Sequence, residues 1–137
     1  MTTQVDDIIR THPRPSPIDE STLIGIINRI YQCASTCAAC ADACLGEDDP
    51  KAQVTCITSC QNCGEVCLTT ARALSRITGF NRDAIRHLVE ACEQICRICG
   101  DECDRHAAHM EHCRVCAEAC RTCADACRTL LQELATA

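Results

Sequence analysis

The chain has 137 residues, among them 17 cysteines, one Tyr, one Phe and no Trp, and a formal net charge of −6. That length supports one domain with its own core, yet the rings that usually fill a core are missing and something smaller must fill it. An acidic balance argues against nucleic acid, which needs a basic face, and no run of about 18 apolar residues is present to span a membrane.

The N-terminus, Met1-Thr-Thr-Gln-Val-Asp-Asp-Ile, starts acidic, with no apolar h-region and no twin-arginine pair before an apolar run. The cytoplasm is therefore the expected location. A reducing compartment disfavours structural disulfides, and an odd cysteine count fits a disulfide framework poorly. Free or metal-bound thiols are expected instead. Residues 1–15 read as an N-terminal extension with a short helix over Gln4–Arg10, followed by the proline-rich link His12–Pro17. Residues 16–137 read as a single four-helix domain.

Four long helices are predicted there, roughly 17–45, 50–78, 82–105 and 110–134. Ser16 as N-cap and Pro17 at the first helical position open the first. Leu23, Ile26 and Ile30 lead into Cys33, Cys37, Cys40 and Cys44. After the turn Leu45-Gly46-Glu47-Asp48, Asp49-Pro50 opens the second, where Cys56, Cys60, Cys63 and Cys67 precede Ala71, Leu74 and Ile77. Thr78-Gly79-Phe80-Asn81 reads as a glycine stop and an Asn cap. In the third, Ile85 and Leu88 come before Cys92, Cys96, Cys99 and Cys103. A break between 105 and 110 precedes the fourth, where Cys113, Cys116, Cys120, Cys123 and Cys127 come before Leu130, Leu131 and Leu134.

Every helix carries the spacing C-x3-C-x2-C-x3-C. At 3.6 residues per turn these positions fall at about 0°, 40°, −20° and 20°, a stripe about 60° wide and roughly 16 Å long. A strand would scatter them over both faces. Short loops make neighbouring helices antiparallel, so the fold class is all-α, an up-down-up-down four-helix bundle with a cysteine-lined core. Alternating the direction brings every cysteine half to one end and every aliphatic half to the other. Loops 45–49 and 105–110 frame the thiol end.

Cysteine is a small, buriable hydrophobe, so a plain small-residue core is the simplest alternative. Ala or Val would fill that role without oxidation risk. Soft thiolates select Cu(I), Zn(II) or iron–sulfur clusters. Zinc prefers a closed tetrahedron per ion, whereas an unbroken stripe suits bridged Cu(I)–thiolate chains, in which about one Cu(I) per thiolate nearly cancels the buried charge. The runs approach the ferredoxin pattern but lack its proline, and four thiols along one straight helix cannot wrap a cubane. Thiol redox chemistry of the thioredoxin kind needs a βαβ context. The expectation is a non-enzymatic store of many Cu(I) ions. The alternatives are a zinc or general soft-metal sink and, less favoured, an iron–sulfur or redox protein.

His106, His109, Met110 and His112 cluster at the last turn. On the third helix's register His106 lies at about −40° and Met110 at about 0° from Cys92. Imidazole and thioether both suit copper. These four are candidate ligands at an entrance that hands Cu(I) to Cys113, against the alternative of a polar turn with incidental histidines. His12 and His87 lie off the stripe. Glu47, Asp48 and Asp49 read as a solvated acidic turn.

With these motifs the sequence resembles the bacterial cytosolic copper storage proteins over about residues 17–134. The resemblance implies a four-helix bundle, all 17 cysteines as Cu(I) ligands, histidines at the open end and homotetramers. It also implies a role in storing copper or limiting its toxicity. His106, His109, Met110 and His112 carry over loosely, because turns align poorly. Exported relatives carry a twin-arginine signal, which is not found here. Expected partners are copper ions, with copper chaperones or small thiols as donors and acceptors.

Overall fold

A computed structural model describes residues 2–136, all of whose regular elements are helical. A short helix α1 (Gln4–Arg10) precedes four long ones: α2 (Glu20–Leu45), α3 (Val54–Leu74), α4 (Arg82–Asp104) and α5 (Glu111–Thr136). Each long helix packs on its sequence neighbours and α2 closes the ring on α5, as short connections require.

The helix starts follow local chemistry. The α2 cap is Asp19, not Ser16: its carboxylate accepts from the Thr22 N–H at 3.0 Å and the Thr22 hydroxyl at 2.8 Å. Pro17 lies before the helix, and its carbonyl accepts from Arg82 at 2.9 Å. Asp49-Pro50 opens a single 3₁₀ turn, Pro50–Gln53, that leads into α3. α3 stops at Leu74, earlier than 78, and a loop runs on to Asn81. In that loop Gly79 takes φ 69°, a left-handed conformation open to glycine. Asn81 caps α4 through the Ala84 N–H at 2.9 Å. α1 is capped by Thr3 and Asp6. It docks on α2 through buried Ile9 and the Asn28 amide, which donates to Asp6 at 3.0 Å.

The core divides along the bundle axis. At one end Leu23, Ile26, Ile27, Ile30, Leu74, Val89 and Leu130 are almost fully buried. Val89 rather than Leu88 supplies the α4 contact, and Leu88 is half-buried. At the other end all 17 cysteines are buried and free. A close crossing of α2 and α3 helps to draw the thiols together. A Cβ on Gly64 would sit 3.3 Å from the Ala34 carbonyl oxygen and 3.6 Å from the Cys37 Cβ. At the junction of the halves, buried Glu93 accepts from Arg97 at 2.8 Å and from Arg128 at 3.1 Å, which ties α4 to α5.

Because the aliphatic end shares no side chains with the thiol column, it carries stability independently of metal. Leu74→Ala is expected to lower the urea stability of the reduced apo protein by about 2–5 kcal/mol while leaving the copper capacity of the folded protein unchanged. A capacity that falls with stability contradicts this division.

Candidate metal centre

The four stripes meet on the axis as one connected set of sulfurs. Near the loops, Cys44 lies 4.0 Å from both Cys56 and Cys113, and Cys56 lies 3.8 Å from Cys103. One level deeper, Cys60 sits 3.7 Å from Cys103, 3.8 Å from Cys116 and 3.8 Å from Cys99. Cys37 sits 3.8 Å from Cys116, 3.7 Å from Cys120 and 4.0 Å from Cys33. Deepest, Cys67 sits 3.9 Å from Cys63, 3.5 Å from Cys96, 3.9 Å from Cys92 and 3.8 Å from Cys123. Cys127 lies beyond, toward the aliphatic end, with Cys92 and Cys123 as its sulfur neighbours.

Several groups of four ligand atoms lie within 4.8 Å of one another. They include Cys33, Cys63, Cys67 and Cys96; Cys37, Cys99, Cys116 and Cys120; and Cys40, Cys60, Cys103 and Cys116. Membership overlaps between further groups, so one sulfur has neighbours in two sets. Bridging thiolates need that arrangement, and isolated tetrahedral sites do not.

Proton affinity varies between neighbouring sulfurs. Cys40 is pushed down to about 3, chiefly by hydrogen bonding from Cys103, and Cys56 to about 7 by the same neighbour. Burial pushes Cys44 up to about 12. Deeper in the column, hydrogen bonding from Cys120 lowers Cys33 and Cys63, whereas hydrogen bonds to other sulfurs, Cys116 for Cys37 and Cys123 for Cys67 first among them, raise Cys37 and Cys67, with burial adding to the effect.

The four non-cysteine candidates separate. His112 stands in the first turn of α5, half-buried, with Nδ1 3.6 Å from both Cys40 and Cys113 and Nε2 3.3 Å from the Glu47 carboxylate. It joins Cys40, Cys44 and Cys113 in a further four-ligand group. Met110 is buried against the core beside this turn. His106 and His109 pack edge-to-face, ring centres 6.0 Å apart, in the turn after α4. His106 is half-buried and His109 exposed. Among the described residues, the imidazole–thiol hydrogen bonds are those of His112. Sequence reasoning missed the role of Glu47, which it read as part of a solvated turn. The available signal was on α5: His112 precedes Cys116 by one helical turn, so it falls on the thiol stripe while its far nitrogen faces the opposite loop.

His112 is raised above its ordinary 6.5 by its hydrogen bond to Cys40, with Glu47 adding to the effect. The pair's contribution to stability is therefore complete below 6.5 and fades as pH rises through the higher folded-state value. The His112 ring in the apo protein should titrate above 6.5 by NMR, and Cys40→Ser should lower that midpoint. An unchanged midpoint in the variant contradicts the pairing.

A family model described as copper storage protein matches residues 19–132. A solved structure of the copper storage protein Ccsp from Streptomyces lividans, loaded with 10 copper equivalents, is 45% identical with a TM-score of 0.91, covering 94% of this chain and 98% of that one. The cytosolic copper storage protein of the same organism with five coppers is 46% identical, TM-score 0.80, covering 82% and 93%. An uncharacterized cysteine-rich protein of Bacillus subtilis is 31% identical over 93 residues, which is 68% of this chain and 81% of that protein. With fold, thiol column and sequence in agreement, the chain belongs to the copper storage protein family.

Proposed function

We propose that this protein sequesters many Cu(I) ions per chain as cytoplasmic cargo, without catalysing a reaction, and that all 17 cysteines take part. The observation that carries this reading is the connected column of buried sulfurs 3.5–4.0 Å from their neighbours. A Cu(I) ion set between such neighbours takes two or three thiolates, and each thiolate serves a further ion, so charge stays near zero in a core that water does not reach. Each ion bound displaces thiol protons, and uptake therefore strengthens as pH rises. A cytosolic relative loaded with copper supports both the cargo and the compartment.

Copper enters at the loop end. The aliphatic end is closed by Leu23, Leu74, Leu130 and their neighbours. At the loop end His106, His109, Met110 and His112 form a graded path: an imidazole pair of which His109 is exposed and His106 half-buried, a buried thioether, then an imidazole in contact with Cys40 and Cys113. Copper chaperones or small thiols are the donors and acceptors at this mouth. Residues 1–15 form an extension on a storage domain that spans 16–137. Assembly as a homotetramer follows from the family resemblance, and a shallow apolar groove between α2 and α3, lined by Ala38, Ala41, Leu45 and Leu68, suits burial in it.

Anaerobic titration of the reduced protein with Cu(I) against a competing chelator should approach about one ion per thiol. Saturation at about four ions, one per tetrahedral set of thiols, contradicts storage. Replacing His106, His109, Met110 and His112 together should slow stopped-flow uptake and leave that capacity nearly unchanged. Unaltered kinetics would show that copper does not pass these side chains.

A further inference from the structure

The mouth group differs from the four-thiol groups below it. Its ligand atoms are three sulfurs, from Cys40, Cys44 and Cys113, and Nδ1 of His112, all within 4.8 Å of one another. A tetrahedral Zn(II) with Zn–S about 2.3 Å and Zn–N about 2.0–2.1 Å places its sulfurs about 3.8 Å apart and sulfur about 3.5 Å from nitrogen. The structure has Cys44 and Cys113 at 4.0 Å, and Nδ1 at 3.6 Å from Cys40 and from Cys113. The far nitrogen of His112 meets the Glu47 carboxylate at 3.3 Å. In the neutral ring that contact keeps the Nε2 proton on the Glu47 side and leaves the Nδ1 lone pair facing the sulfurs. It is the carboxylate–histidine pairing that supports zinc ligands.

We infer that Cys40, Cys44, Cys113 and His112 form a closed Cys₃His site for one divalent ion of the zinc class, seated across the mouth of the copper column.

Charge favours this position over the deeper sulfurs. A divalent ion with four thiolates carries a charge of about −2, in a column whose thiols are all 3% exposed or less. With three thiolates and a neutral imidazole the charge is about −1, and the fourth ligand is a half-buried ring rather than another buried thiol. The thiol-bearing segments 33–67 and 92–127, which include this site, carry net −7 and the remainder +1, which together make the chain's −6, so the field favours cations throughout the thiol half. Binding releases the protons of Cys40, Cys44 and Cys113 that are still bound. Such an ion blocks the path proposed for copper until Cu(I) displaces it. The blocking role rests on the mouth being the copper entrance, whereas the site itself stands on its own geometry.

The test is an anaerobic titration of the reduced full chain with Co(II), then competition by Zn(II). The first equivalent of Co(II) should give the visible spectrum of tetrahedral cobalt with thiolate charge transfer, and Zn(II) should bleach it. His112→Ala should lose that first tight equivalent, with helicity checked by circular dichroism. Glu47→Gln should weaken it about 10–100-fold, and the exposed His87→Ala should not alter it. One equivalent of Zn(II) should slow Cu(I) uptake by the parent protein. Retention of the spectrum in His112→Ala overturns the assignment, as does filling of several equivalent sites from the start. A protein that takes many Cu(I) ions but shows no tetrahedral Co(II) refutes this inference alone. One that shows the Co(II) site but little copper capacity refutes the store and leaves the site standing.

Discussion

Everything in this molecule depends on a thiol being short enough to meet its partner across the bundle axis. Cys60 reaches Cys116 and Cys67 reaches Cys123 at 3.8 Å, and these pairs lie on α3 and α5, which are diagonal helices. Leucine at those positions would fill the axis with carbon. Here the axis is a line of sulfur, each atom in van der Waals contact with several others. Close helix approach makes this work, and Gly64 under Ala34 is one place where the sequence provides it.

The arrangement resolves a conflict between folding and binding. Protonated thiols are apolar enough to pack as a core, so the bundle needs no metal to exist. Charged thiolates are tolerated there once cations neutralise them. The aliphatic end stabilises the fold and closes one end of the column. The Glu93, Arg97 and Arg128 cluster adds a tie between α4 and α5 at the boundary. Burial opposes ionisation of Glu93, but hydrogen bonds from the two arginines outweigh it and hold the carboxyl low. Stability and capacity are thereby assigned to different residues.

Much of this was legible in the sequence, because the spacing 0, 4, 7, 11 fits a helix and repeats four times. The end-to-end polarity followed from where each stripe sat in its helix. Three details escaped for physical reasons. Ser16-Pro17 has the form of a helix start, but Asp19 stands three residues before a Thr that satisfies its carboxylate twice, and the stronger cap won. Leu88 was read beside Ile85 as the α4 core contact, but it is half-buried and Val89 is fully buried instead. Val89 precedes Cys92 by three residues and Cys96 by seven, so a contact line repeating every 3.5 residues runs through it. His112 was grouped with His106, His109 and Met110 at the last turn and not set apart from them, although it stands in the first turn of α5. Its contact with Glu47 joins that turn to a loop remote in sequence, which no periodicity reports.

The central claim is that the thiol column is built by helix packing and exists before its cargo. Circular dichroism of the fully reduced apo protein under anaerobic conditions, repeated after Cu(I) loading, tests it most directly. The account predicts the same helical signal in both states, with cooperative unfolding of the apo form. An apo protein that is unfolded and gains helix only as copper is added would contradict it.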